Sequence, residues 1–138
     1  MNVYFYDDET EREIVREQNI KRELALIADN ESHGGLYLQY QPILDLSSGR
    51  ISGFEALARI KSDKIGFIPP LEFIPIAEKT KLIIPIGKKI ILRALAFIGR
   101  LRDAGHADVT VSVNVSAIQV LANDFKEDLR SEEHTSEL

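Results

Sequence analysis

Residues 53–60 read Gly-Phe-Glu-Ala-Leu-Ala-Arg-Ile, and they alternate with the two-residue period of a β-strand. After the glycine, the even positions are apolar throughout, whereas Glu55, Leu57 and Arg59 occupy the opposite face. A charged side chain inside an apolar strand is costly to bury unless it meets a partner or a metal. The pattern by itself therefore allows two interpretations: an edge strand with Glu55 and Arg59 in solvent, or a strand that presents both charges to a functional site.

The stretch before it predicts a partner strand. Residues 36–44 alternate in the same way, and Pro42, which cannot donate to a β-ladder, is expected to mark the end of that strand. Residues 45–50 contain Ser-Ser-Gly and predict a turn, after which the second strand begins at Ile51. Two strands joined so closely predict an antiparallel hairpin.

A further strand is predicted over residues 109–116, where valines alternate with polar residues. A long amphipathic helix precedes it, with Pro85 in its first turn and Gly105 as its C′ residue. A strand, a helix and a strand predict a right-handed parallel crossover, with the valines packed under the helix. Asn114 then lies near the C-terminal end of its strand, where barrel enzymes keep their active sites. The polar face of a solvated sheet would explain the same alternation. The basic residues of the helix flank a broad apolar stripe and are expected to form a solvated face rather than a phosphate site: Lys88, Lys89, Arg93, Arg100 and Arg102.

The N-terminal part predicts a helix that connects domains. Residues 9–35 carry apolar side chains near helical spacing, with a capping box at Thr10 and Glu13 and a Gly-Gly stop. Residues 1–8 include a short β-prone run, which is either the end of an upstream domain or a disordered or locally packed terminus. His33 is expected to be a solvated loop residue.

The segment after the hairpin predicts a loop over residues 61–70 and then a short helix, which Pro75 should shorten or distort. Glu78 stands at the end of that helix. The sequence leaves two roles open for it: an acid or ligand in a site, or a structural partner through capping or pairing. We favour the structural role.

Composition restricts the classes of function. The chain has 138 residues, of which 44% are hydrophobic, and this is enough for one modest domain with a core. A net charge of −5 argues against binding of a DNA or RNA polymer. The lack of cysteine fits a reducing cytoplasm. No apolar run approaches the ~18 residues of a membrane span.

Three motifs, in order along the chain, resemble those of one family. Tyr-Gln-Pro-Ile at residues 40–43, Glu-Ala-Leu-Ala-Arg at residues 55–59 and Ser-Val-Asn-Val-Ser at residues 112–116 are similar to the signature of EAL domains. These are bacterial phosphodiesterases of the second messenger cyclic di-GMP. The resemblance implies an α/β fold that is the N-terminal portion of a TIM-like (β/α)8 barrel with one reversed strand. A linker helix would precede it, and the barrel would be incomplete.

The resemblance also implies a site. In the family, the glutamate of the signature motif and the asparagine of the later strand are metal ligands, which implies Glu55 and Asn114 as ligands of Mg²⁺ or Mn²⁺. Arg59 is expected to contact the cyclic dinucleotide, since a guanidinium can grip phosphate in a bidentate way. Leu57 and Gln41 match positions that line the same pocket. The implied reaction is hydrolysis of one phosphodiester bond of cyclic di-GMP by a metal-activated water, which yields linear pGpG.

The later motifs of the family do not appear in this sequence. They comprise a second glutamate strand, an Asp-Asp-Phe-Gly-type motif, a lysine strand and a final glutamate. Residues 36–129 are therefore expected to be a truncated EAL domain, with no complete catalytic set and no activity of their own. Residues 130–138 are similar to the translation of a sequencing adapter and are expected to be an artefact, with a native disordered tail as the alternative.

The leading hypothesis is a parent cyclic di-GMP phosphodiesterase in the cytoplasm. The resemblance allows an upstream GGDEF domain, of which residues 1–8 would be the end, and an EAL homodimer. The alternative hypothesis is a non-catalytic EAL module that binds cyclic di-GMP or a protein partner. An unrelated α/β binding domain remains only if the motif matches arise by chance.

Overall fold

The computed structural model describes residues 7–29 and 35–122, together with Glu127 and Arg130. The β-prone run at residues 3–6, His33 and the predicted artefact beyond Arg130 lie outside these residues. In the part of the chain that the structure describes, helices pack on a mixed sheet of four strands. Along the chain the elements are α1 (Asp8–Asp29), β1 (Leu36–Asp45), β2 (Arg50–Ser62), β3 (Gly66–Ile68), α2 (Pro70–Lys79), α3 (Ile83–Asp103), β4 (Thr110–Val113) and α4 (Ala117–Val120). Within the described residues, no helix has the length and apolar character that a membrane crossing needs.

The predicted hairpin is confirmed. β1 and β2 pair antiparallel, with Gln41 opposite Glu55, and a bulge interrupts the register between Ile43 and Leu44. The expectation that Pro42 ends the strand is wrong, because β1 continues to Asp45. Within the described sheet β1 is an edge strand that pairs only with β2. An edge position tolerates a residue without an N–H donor, and this explains why the strand runs through the proline.

The predicted parallel crossover is confirmed as a parallel pairing of β2 with β4, which runs from Gly53 opposite Thr110 to Ala56 opposite Val113. A side chain at Gly53 would not fit, because an added Cβ would lie 2.6 Å from Thr110 Oγ1 and 2.9 Å from Thr110 O. β4 is shorter than the predicted strand of residues 109–116. It stops at Val113 because Ser116 already caps α4, and Val115 is 40% exposed rather than packed under the helix.

Helix α3 ends as its sequence predicts. Gly105 has φ +91°, the left-handed conformation that favours glycine. The N–H of His106 donates to Leu101 O at 2.8 Å and that of Gly105 to Arg102 O at 3.0 Å, which is a Schellman motif.

The expectation that all the basic residues of α3 are solvated is wrong for two of them. Lys89 Nζ donates to the carbonyl of Ile27 near the end of α1, and Arg93 Nη1 donates to the carbonyl of Leu36 at the start of β1. These cations thus satisfy backbone acceptors of neighbouring elements.

Helix α1 begins one residue before the predicted segment and has a different cap. Asp7 Oδ1 accepts the N–H of Thr10 at 2.7 Å, so the capping box predicted at Thr10 and Glu13 is wrong. This hydrogen bond holds the pKa of Asp7 below its ordinary value. The inner face of α1 buries Ile20, Leu24 and Ile27 in the same core as the other elements. The role of a linker between domains stays a prediction.

Helix α2 packs Phe73 and Ala77 into the core, where they are 1% and 0% exposed. The helix continues past Pro75 to Lys79, so the expectation that Pro75 shortens it is wrong. Leu71, whose carbonyl loses its helical partner at Pro75, is 93% exposed. Water can reach that carbonyl, which lowers the cost of the missing bond.

An ion pair joins α1 to α2 and makes their packing dependent on pH. Arg16 Nε and Nη2 contact the two carboxylate oxygens of Glu72 at 2.5 and 3.0 Å. The guanidinium holds the pKa of Glu72 below its ordinary value of 4.5. Stability from this pair is therefore present above pH ~4.5 and is lost as the pH falls through the lowered pKa.

We expect Glu72→Gln to destabilise the protein by about 1 kcal/mol or less at pH 7, because both side chains remain partly exposed to solvent. The difference between wild type and variant should shrink as the pH falls through the lowered pKa of Glu72. Urea unfolding followed by circular dichroism at pH 7 and at a series of lower pH values measures it. Asp108→Asn, at an exposed loop position, is the control and should change nothing. A difference that persists at low pH would contradict this origin.

Candidate functional site

One face of the sheet collects the polar residues of three strands. Glu55, Leu57 and Arg59 of β2 lie on this face, as their alternation predicts. Glu55 stands opposite Gln41 on one side and Ser112 on the other. Because paired residues of neighbouring strands point to the same side, these side chains form one surface.

The two predicted metal ligands meet on this surface. Asn114 Nδ2 donates to Glu55 Oε1 at 3.3 Å, although the two residues are 59 positions apart in sequence. The parallel pairing of β2 with β4 produces this contact, because Asn114 directly follows the last residue of β4. A carboxylate and a side-chain amide are thereby placed side by side.

Arg59 is held by the hairpin. Its Nε donates to Gln39 Oε1 at 3.0 Å, and its Nη1 donates to Ala58 O at 3.1 Å. Sequence reasoning missed Gln39. Its position was a usable signal, because Gln39 stands two residues before Gln41 on the same strand face and reaches Arg59 diagonally across the hairpin.

A cavity of about 260 Å³ opens beside this surface. Leu57, Arg59 and Asn114 line it, together with apolar side chains of the helices that include Phe73, Ile74 and Ile83. Glu55 and Gln41 lie on the adjoining strand surface and are not among its lining residues. The cavity therefore combines a guanidinium and an amide with an apolar wall, as ligand pockets commonly do.

Glu78 also lines the cavity, and its carboxylate has a protein partner. Ser116 Oγ donates to Glu78 Oε2 at 2.9 Å. The structural pairing favoured from the sequence is thus present.

The donor set agrees in part with a hard divalent cation. Glu55 and Asn114 offer oxygen donors, which Mg²⁺ and Mn²⁺ prefer, and Mg²⁺ commonly uses only one or two carboxylates beside water and phosphate oxygens. Among the described residues, no cluster of three or more His, Cys, Asp or Glu side chains could hold a metal ion. Glu55 and Asn114 could therefore fill only part of the coordination sphere of Mg²⁺ or Mn²⁺.

In a comparison with known protein families, residues 23–137 match the EAL domain. The chain belongs to the EAL domain family. The match begins inside α1 and includes most of residues 130–138, so it extends beyond the predicted domain boundaries of 36 and 129 on both sides.

Two curated relatives illustrate the similarity. A cyclic di-GMP phosphodiesterase of Pseudomonas aeruginosa is 37% identical over 94 residues, which cover 68% of this chain and 16% of the relative. The cyclic di-GMP phosphodiesterase PdeR of Escherichia coli is 40% identical over 85 residues, which cover 62% of this chain and 13% of the relative. The chain thus spans less than a fifth of these relatives.

Solved EAL domains share the fold. The MucR phosphodiesterase in complex with cyclic di-GMP superposes with a TM-score of 0.78 at 32% identity, over 87% of this chain and 47% of that chain. The FimX EAL domain of Xanthomonas citri with cyclic di-GMP gives 0.68 at 25% identity, over 95% and 48%. The predicted α/β fold of a TIM-like barrel is therefore confirmed. In the described residues its sheet is not closed.

Proposed function

We propose that this EAL chain is part of a cyclic di-GMP phosphodiesterase that yields linear pGpG in bacterial second-messenger signalling. The observation that carries the proposal is the 3.3 Å contact between Asn114 Nδ2 and Glu55 Oε1 at the end of β4. It brings together the two residues that the family resemblance implies as metal ligands. Arg59 lies four residues after Glu55 on the same face of β2, beside the cavity.

Each residue has a distinct role in this proposal. Glu55 and Asn114 provide the oxygens that would hold Mg²⁺ or Mn²⁺. When bound, the cation lowers the pKa of water and stabilises negative charge at phosphorus. Arg59, held in place by Gln39, directs a guanidinium toward a phosphate of the dinucleotide. Leu57 and the apolar cavity wall exclude water, and Gln41 adds a polar group opposite Glu55.

The described residues alone should not catalyse hydrolysis. Glu55 is the one anionic ligand that the proposal assigns among them, and a single carboxylate with an amide leaves most of an octahedral sphere to be filled. The proposal also includes a cytoplasmic location, an EAL homodimer and a GGDEF domain upstream. A DNA or RNA polymer is not a proposed partner.

The direct test is release of linear dinucleotide from cyclic di-GMP by the full-length gene product that contains these residues. Mg²⁺ and Mn²⁺ should support the reaction, and Ca²⁺ serves as a comparison. Binding of cyclic di-GMP without cleavage, in all three metals, would instead favour the non-catalytic EAL module.

Arg59→Ala should weaken substrate binding more than metal binding. A charge-assisted contact to phosphate contributes roughly 1.5–3 kcal/mol, so we expect the Kd for cyclic di-GMP to rise by about tenfold or more. Calorimetric titrations with cyclic di-GMP and with Mn²⁺ separate the two effects. Arg50→Ala, at the exposed start of β2, is the matched control. If Arg59→Ala binds cyclic di-GMP as tightly as wild type, Arg59 does not contact the ligand.

A further inference from the structure

The position of Asn114 is not set by the sheet alone. Backbone pairing of β4 stops at Val113, which stands opposite Ala56, and Asn114 follows it outside the strand. Helix α4 begins at Ala117. The contacts made by the residues between β4 and α4 must therefore decide whether the Asn114 side chain faces Glu55.

Ser116 makes most of these contacts. Its hydroxyl donates to Glu78 Oε2 at 2.9 Å and accepts the N–H of Ile118 at 3.3 Å. Its own N–H donates to Gln119 Oε1 at 3.0 Å, which completes a capping box. A hydroxyl offers one donor and two acceptors, and its only donor is used on the carboxylate of α2. Hydrogen bonds to an ionised acceptor are roughly twice as strong as neutral ones.

The other side of this connection rests on α3. Gln119 is 4% exposed, and it packs against Gly87, where an added Cβ would lie only 1.7 Å from Gln119 Nε2. The segment that follows Asn114 is thus held by α2 through Glu78 and by α3 through Gln119.

We infer that Glu78 is a positioning residue, whose carboxylate holds Ser116 so that Asn114 is kept against Glu55. Glu78 lines the same cavity as Asn114, and its Oε2 is occupied by the Ser116 hydroxyl. The expected effect of Glu78 on metal affinity rests on the proposed function, whereas its effect on the position of Asn114 does not.

The test compares variants of the full-length gene product at two readouts. The first is the side-chain amide NMR signal of Asn114 in metal-free protein, assigned by its loss in Asn114→Asp. The second is the apparent Kd for Mn²⁺. Glu78→Leu should shift the amide signal toward that of a solvated asparagine and raise the Kd by about 10-fold or more, as other residues that orient metal ligands do. Glu78→Gln keeps an acceptor oxygen and should retain most of the wild-type behaviour.

Glu72→Leu is the matched control, because it removes a carboxylate from the same helix and breaks the Arg16 pair away from the site. It should lower the Tm but leave the Asn114 signal and the Mn²⁺ affinity unchanged. Glu78→Ala removes the same carboxylate without adding a large apolar side chain, and it replaces Glu78→Leu if that variant does not fold. An unshifted Asn114 signal in the folded variant overturns the inference. If wild type neither binds Mn²⁺ nor cleaves cyclic di-GMP, the proposed function fails, and the amide signal still decides the role of Glu78.

Discussion

Glu55→Gln should lower the proposed phosphodiesterase turnover by at least about 100-fold, because changes outside the direct ligands of a metal already cost 10–100-fold. The substitution keeps the size of the side chain and removes its negative charge. The remaining amide can still contact Asn114, so the strands should pair as before. The expected defect is therefore in metal binding and in activation of water.

The measurement is release of linear dinucleotide as a function of Mn²⁺ concentration in the full-length gene product. Arg50→Ala is the control, because Arg50 is exposed at the start of β2 and lies outside the proposed site. It should keep wild-type turnover. Near wild-type turnover of Glu55→Gln at limiting metal would show that Glu55 is not a ligand, and the enzymatic interpretation of the signature would fail with it.

Phe73→Ala should produce the largest loss of stability among single substitutions in the described core, about 3–5 kcal/mol. Phe73 is 1% exposed and is among the largest fully buried side chains. It packs in one cluster with residues of the sheet and of α1 and α3, which include Ile60, Ile20 and Ile86. Truncation removes apolar contacts at the point where these elements meet and enlarges the cavity beside Arg59.

Urea unfolding followed by circular dichroism measures the loss. Leu71→Ala on the same helix is the matched control, because Leu71 is 93% exposed and its truncation should change the free energy of unfolding by less than ~0.5 kcal/mol. Equal effects of the two substitutions would mean that α2 does not pack on the sheet as described.

The local elements follow from the sequence because their signals are local. The alternation around Glu55 and Leu57 predicts which side chains share a face, and it also predicts the hairpin with residues 36–44. Gly105 predicts the end of α3, since only the local backbone conformation is involved. The family resemblance added Asn114 as the partner of Glu55, which no local pattern indicates.

Other features depended on neighbours that are distant in sequence. Pro42 was expected to end its strand, but the proline hinders pairing only on a side where another strand needs its N–H, and β1 is an edge strand in the described sheet. Lys89 and Arg93 were expected in solvent, yet each reaches a backbone carbonyl of another element.

The sequence by itself determined the types of the main elements, the polar face of β2 and the residues with the chemistry of a site. The tertiary structure alone decided that Asn114 contacts Glu55, that Gln39 holds Arg59 and that Glu78 pairs with Ser116. The physical reason is that strand and helix periods repeat over two to four residues and are visible in any short window. The register between β2 and β4, by contrast, joins residues that are distant in sequence, such as Gly53 and Thr110, and a shift of one residue would turn every polar side chain to the other face.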